Sequence, residues 1–426
     1  QGSVRGRSGN WPFYLDEKRV NMDKIVFLTG AGAVLPWGAP TTSDITKCMQ
    51  EKAIFIRDDR KQVKIGEILF KILEDYYHAD PKNINFEDVI ELAEVMFDYY
   101  TGGFHGARTS FKSNLFATFD VKKEIVKKIF GKNKIEVLTK HRPGGAILSF
   151  IHISEQLYNS VISSLEGYVQ NKTIAKHGLL NRKFKEFLLN YSSSKIRYYT
   201  TNYDRVPVEV SGIDFYDGFD ITEGKLYRCN LKKIKEDAYK NSYFNLHGSI
   251  YYKFQKGEWI YTPNKINKVR LSVRHELSQG RRNLPCTNIL AGLEKSPKML
   301  LDPQCQFYQK FYNDCSEASR IVIIGYSFGD IHLNKAIEDA VTINNVKLTY
   351  ITYFSDWYKQ LKKGTFKEVN LYWSSKIAST LSNICTNDGI DRKRYLSGWL
   401  KTNELISIYW KGFSDFLHNK EWKNII

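Results

Sequence analysis

Hydrophobic positions follow two rhythms along the chain. Short apolar runs stopped at once by glycine or polar residues occur at 24–29, 196–201, 243–246, 320–324 and 348–353. Runs of this length predict strands buried on both faces, as in a parallel sheet. Between the first and second run the period becomes helical, with Ile65, Ile68, Leu69, Ile72 and Leu73 on one helix face. Further helices are expected over 86–100, entered from an Asn85 cap with Asp88 three residues on, and over 146–170 and 183–190. The stretch 251–261 reads as a β-hairpin turning at Lys256-Gly257, a small flap beside the third run.

This order predicts an α/β fold, a Rossmann-like parallel sheet with a large helical insertion. The core is expected over 22–45 and 195–360, the insertion over 46–194 as a lid or subunit contact, and a C-terminal packing or oligomerisation segment, helical in character, over 361–426. Residues 1–21 start small and polar and read as an N-terminal extension, with Met22 as a candidate internal start.

Composition narrows the class. At 426 residues, 42% hydrophobic and 26% charged, the chain can bury a core and exceeds the usual size of one compact domain. No window approaches the ~20 apolar residues of a bilayer span, and no secretory signal opens the chain, so a soluble, cytoplasmic protein with no membrane contact is expected. The six cysteines, Cys48, Cys229, Cys286, Cys305, Cys315 and Cys385, form no C-x-x-C pair. Free, mostly buried thiols are expected, and no metal site. The charge of +17 favours acidic partners, from a dinucleotide to nucleic acid. It is spread thinly, without a basic tail or a nucleic-acid motif, so direct nucleic-acid binding rests on charge alone.

Candidate chemistry gathers where the apolar runs end. In Gly30-Ala31-Gly32 the glycines would let backbone approach a pyrophosphate ahead of a helix N-terminus, although a tight structural turn reads equally well. Thr200-Thr201-Asn202-Tyr203-Asp204 offers a carboxamide and a carboxylate to ribose hydroxyls, or an Asx turn capping the next helix. His-Gly pairs occur at His105, His177 and His247, and only His247 follows a strand-like run and precedes a hairpin. A neutral imidazole there could accept a proton near pH 7. In Gly325-Tyr326-Ser327-Phe328-Gly329-Asp330, Gly325 permits close approach, Ser327 can bond phosphate or ribose, and Asp330 reads as a helix cap rather than a catalyst.

In order and content these four segments, with Asn85-Phe86-Glu87-Asp88 in the insertion, resemble the bacterial sirtuin-like NADase family of antiphage defence. The resemblance covers a few dozen residues and implies a sirtuin-like core. By it, NAD is the substrate, Asn202 orients the nicotinamide ribose and the attacking water, and His247 is the general base or the partner of a ribose hydroxyl. Gly30, Ala31 and Gly32 would hold the pyrophosphate, Thr201 and Asp204 would join the ribose site, and Gly325 and Ser327 would lie near the adenosine half. The four-cysteine zinc module of deacetylase sirtuins is missing after His247, Val34 stands where a serine is expected, and Pro40-Thr41-Thr42-Ser43 replaces a Pro-Asp-Phe-Arg segment. These departures favour NAD glycohydrolysis over a protein deacylase or ADP-ribosyltransferase. A non-catalytic NAD-binding or nucleic-acid-binding subunit is the remaining alternative. The resemblance also implies gated activity in abortive infection, through a homo-oligomer or through a HerA-type ATPase, an Argonaute-like protein or a phage-derived activator.

Overall fold

The computed structural model describes residues 23–56, 60–77, 80–101, 127–131, 143–170, 174–222, 226–255, 258–270, 287–292, 298–354, 397–401 and 404–425. The expected extension 1–21, Met22, the hairpin tip Lys256-Gly257, Cys286 and Cys385 lie outside them.

Strand β1 (Lys24–Thr29) is buried along its whole length, as its unbroken apolar run requires, and leads into a four-residue helix, α1 (Ala31–Val34). The insertion follows with α2 (Thr42–Lys52), a small hairpin of β2 (Ile54–Ile56) and β3 (Gln62–Lys64), then α3 (Ile65–Tyr77), α4 (Phe86–Thr101), α5 (Pro143–Glu166) and α6 (Gly178–Leu189). Two of its helices, α2 and α4, begin where side chains satisfy orphan N–H groups of the first turn. Thr41 and Asp44 form a reciprocal capping box on α2. On α4, Asn85 accepts from Glu87 N at 2.8 Å while Asp88 accepts from Asn85 N at 2.8 Å. The β2–β3 pair departs from the all-helical expectation: Ile54-Phe55-Ile56 is a β-prone triplet too short for helical periodicity to register. It buries Phe55 edge-on against Phe130 at 5.7 Å.

The chain then lays down β4 (Lys195–Thr200), α7 (Val206–Ser211), β5 (Phe219–Ile221), β6 (Tyr227–Cys229), α8 (Leu231–Glu236) and β7 (Ser242–Asn245). The expected hairpin is present as β8 (Tyr252–Gln255) paired antiparallel with β9 (Glu258–Tyr261), and it joins β5 and β6 in a separate sheet of order β5-β6-β9-β8. Helix α9 (Gln304–Glu317), β10 (Arg320–Ile324), α10 (Ile331–Thr342) and β11 (Lys347–Ile351) complete the expected core.

The core continues past 360. Strands β12 (Trp399–Lys401) and β13 (Ile406–Tyr409) both enter the main sheet, and a helix, α11 (Phe413–His418), follows β13. The described part of 361–426, expected to be helical in character, thus contains strands as well as helix. Ile406, Ile408 and Tyr409 are fully buried, and β13 extends the sheet beyond β11 because Leu348 to Ile351 would otherwise be an apolar edge. Phe413 and Phe416 pack on Phe187 of α6 at 6.2 and 5.5 Å, so the end of the chain covers the sheet beside β1.

The main sheet has the order β12-β13-β11-β10-β1-β4-β7, six strands parallel and β12 antiparallel at one edge. Numbered along the chain, the parallel strands run 3-2-1-4-5-6, the doubly wound Rossmann order. Alternate residues of β1 feed the two faces: Ile25 and Phe27 join α6 and the insertion, whereas Val26 and Leu28 join α9 and α10. In such a sheet the chain order reverses between strands 1 and 4, and the crevice beyond their carboxyl ends is where ligands bind. Here that point lies between β1 and β10.

A buried ion pair docks the insertion on the core. Lys298 donates to Glu94 of α4 at 2.5 Å and to the Tyr158 hydroxyl of α5 at 2.9 Å. None of the three is more than 6% exposed.

Candidate functional site

At the reversal point two glycine turns cross in backbone contact. Gly30 N donates to Ile324 O and Gly32 N to Gly325 O, each at 3.0 Å. A Cβ on Gly325 would fall 2.3 Å from Ala33 N, and one on Gly30 would fall 2.7 Å from Gly325 O. Gly325 also has φ +57°, so both sterics and backbone conformation demand glycine there. The glycines therefore serve chain-to-chain packing first. Gly30 and Gly32 have already spent their N–H groups, which leaves the exposed Ala31, at the first position of α1, as the turn's orphan donor by helix geometry.

Strand β4 places Asn202 beside this crossing. Asn202 N donates to Thr200 Oγ1 at 3.0 Å, and its carboxamide Nδ2 donates to Gly30 O at 3.0 Å. Thr201 N donates to Thr29 O at 2.9 Å, leaving a half-buried side chain on the same edge. Asn245, at the end of β7, wedges behind them: its Nδ2 donates to Asn202 O at 2.9 Å and to Asp204 O at 3.0 Å. This buried amide holds the 200–204 turn in shape.

Asp204 does not join that edge. Its Oδ1 accepts from Val206 N at 3.0 Å, the Asx-type start of α7, and the residue is 2% exposed. Burial raises its carboxyl from 3.8 to about 6, against the opposing hydrogen bond from Val206 N. The structure thus gives Asp204 the capping role rather than a place beside Asn202.

His247 leaves the end of β7 through Gly248 at φ +79°, where a Cβ would meet Asn288 O at 2.3 Å. A strip at 287–290 brackets the loop: Ser249 N donates to Asn288 O at 2.8 Å and Leu290 N to His247 O at 2.7 Å. The imidazole Nε2 lies 3.1 Å from Asp330 Oδ2, with both side chains at least nine-tenths buried. Asp330 does two things at once. Its Oδ1 accepts from His332 N and Leu333 N and so caps α10, while Oδ2 faces His247 and accepts from the Tyr308 hydroxyl at 3.2 Å. With Asp330 as a carboxylate, Nε2 is the donating nitrogen of this contact. Burial, then the Asp330 charge, pushes the Tyr308 hydroxyl well up, so it stays a donor.

The loop that delivers Asp330 is strained. Phe328 is buried yet has φ +55°, a region bulky residues avoid. Its ring packs on Tyr350 at 5.2 Å and its carbonyl accepts from Asn334 at 2.9 Å, contacts that offset a strain of about 1–3 kcal/mol. The strain leaves Ser327 exposed at the rim.

Asn202, Thr201, Gly30, Ala31, Gly32, Gly325, Ser327 and His247 thus share the carboxyl edge of β10, β1, β4 and β7. Sequence reasoning gave Asp330 only its cap and missed Tyr308 and Asn245. A cap uses one carboxylate oxygen, so the second was the available signal for Asp330; Tyr308 sits in an ordinary amphipathic helix and left none. Of the thiols described, Cys315 is buried and Cys48, Cys229 and Cys305 are half-buried, all free, so the expectation of mostly buried thiols holds for Cys315 alone. No helix among the described residues is long and apolar enough to cross a membrane. No protein-family model and no curated protein matches the chain.

Proposed function

We propose that the carboxyl edge is the active site of an NAD glycohydrolase. The observation that carries the reading is the His247–Asp330 pair, which joins β7 to the loop after β10 and holds the imidazole through Nε2 on the same carboxyl edge as Asn202. An acid that fixes the tautomer of a base is a recurring device for proton transfer. The Rossmann strand order and the motif resemblance to sirtuin-like NADases support a dinucleotide substrate.

The reaction needs little besides positioning. The bond between ribose C1′ and the nicotinamide nitrogen breaks with its electron pair going to nicotinamide, which leaves neutral. Positive charge develops on the ribose, water oxygen bonds C1′, and His247 accepts the proton that water gives up. Asn202 orients ribose and water, and the low exposure of Asn202 and His247 strengthens each polar contact to the developing charge. The residues fit NAD unevenly. Ala31 N, Thr201 and Ser327 lie on the edge and could meet phosphate or ribose, whereas Asp204 and the N–H groups of Gly30 and Gly32 are committed elsewhere.

Uncontrolled NAD loss would be lethal, so gating by self-association or by a partner belongs to the proposal, in keeping with a defence role. The test is to incubate the purified chain with NAD in ¹⁸O-water, alone and with candidate activators. Equal amounts of nicotinamide and ¹⁸O-labelled ADP-ribose are expected. Transfer of ADP-ribose to protein without the labelled product would reject hydrolysis.

A further inference from the structure

A cleft of about 420 Å³ lies between β8 and the segment that follows β9, with Asn288 of the 287–290 strip in its wall. Its walls alternate by strand periodicity. Along 267–270, Asn267 and Val269 turn inward at 8% and 4% exposure, which leaves Lys268 and Arg270 on the outer side, and Lys265, just after the turn, is exposed as well. Lys253 projects from the facing strand β8, beside Phe254. Among the described residues none of these four cations has a carboxylate within ion-pair distance, and none of the described residues lining the cleft is a carboxylate.

The floor is built rather than incidental. Asn267 Nδ2 donates to Tyr251 O at 3.2 Å and Asn288 Nδ2 donates to Tyr252 O at 3.2 Å and to Asn267 O at 3.0 Å, so two buried amides lock the cleft between the hairpin and the 287–290 strip. Asn288 Oδ1 and the Tyr252 hydroxyl, both covered, have no hydrogen-bond partner among the described residues. A ligand N–H or O–H reaching them after a small shift would add a bond rather than trade one. Four unpaired cations, an aromatic ring and spare polar atoms around a volume of nucleotide size suit one ligand chemistry.

We propose that this cleft is a second nucleotide site, taking a free nucleotide with at least two phosphates. The cations hold the phosphates, and the base lies toward Phe254 and the amide floor. The inference does not depend on NAD hydrolysis at the carboxyl edge, and binding is its readout.

The test is titration of the full chain with N-methylanthraniloyl-ADP, followed by fluorescence, for the parent, Lys268→Glu/Arg270→Glu and Lys268→Arg. The double variant, on exposed positions, is expected to keep the parent's circular dichroism and to weaken binding about ten-fold or more, with Lys268→Arg close to the parent. Equal binding by parent and double variant would place the nucleotide elsewhere and overturn the proposal, as would no binding to the parent. A short single-stranded DNA that binds in a charge-dependent way where the labelled ADP does not would also overturn it, showing a nucleic-acid surface instead.

Discussion

Replacing Gly325 with alanine tests whether the two glycine turns touch as described. The new Cβ would sit 2.3 Å from Ala33 N, 2.4 Å from Gly32 C and 2.5 Å from Gly32 Cα. These are backbone atoms and cannot swing aside like a side-chain end. Two costs add. Holding an L-residue in the left-handed region costs about 1–2 kcal/mol, and relieving the overlap by backbone shifts costs about 1–3 kcal/mol. The sum is about 2–5 kcal/mol. Gly38→Ala is the internal control, since Gly38 has φ +83° and nothing within 4 Å of its Cβ, so it carries only the first cost. Urea denaturation of parent and both variants, followed by circular dichroism, reads the difference. If Gly325→Ala were no more destabilising than Gly38→Ala, the crossing of the turns would not exist in solution, and with it the geometry of the carboxyl edge.

Asp330→Asn separates the two duties of that residue. Asparagine caps a helix about as well as aspartate, so stability should change by less than about 0.5 kcal/mol, while an N–H facing Nε2 imposes the other imidazole tautomer and should slow nicotinamide release about ten-fold or more; an unchanged rate would remove Asp330 from the mechanism. Asp204→Asn probes the buried carboxyl. Its folded value of about 6 lies above the unfolded 3.8, so protonated Asp204 favours the native state, and that contribution is full below pH 3.8 and lost as pH rises through about 6. The parent should therefore lose about 3 kcal/mol across this window relative to the variant, measured by urea midpoints at several pH values, and parallel pH profiles would contradict the burial argument.

The sheet was legible because its strands are buried on both faces, and unbroken apolar runs such as 320–324 have few other structural readings. Helix starts at Asn85 and Asp330 were legible for a local reason, the cap chemistry. The β2–β3 hairpin and β13 were not: each is short, and β13 is a strand only because β11 presents it an open parallel edge, a tertiary fact absent from local pattern. At the site, strand ends named Asn202 and His247. What local reading could not give was the bond between residues 83 positions apart, His247 and Asp330. It also left two roles open at Asp204, and the packing around Val206 and Tyr168 decided between them. The glycines were correctly marked as close-approach positions, but their partner is the other turn.

Nicotinamide release from the parent, Asn202→Ala and His247→Ala, under the same conditions and with any activator the parent requires, decides whether Asn202 and His247 together cleave NAD as proposed. A loss of about a hundred-fold or more is expected in each variant with folding retained. Release from either variant at the parent's rate would rule the mechanism out.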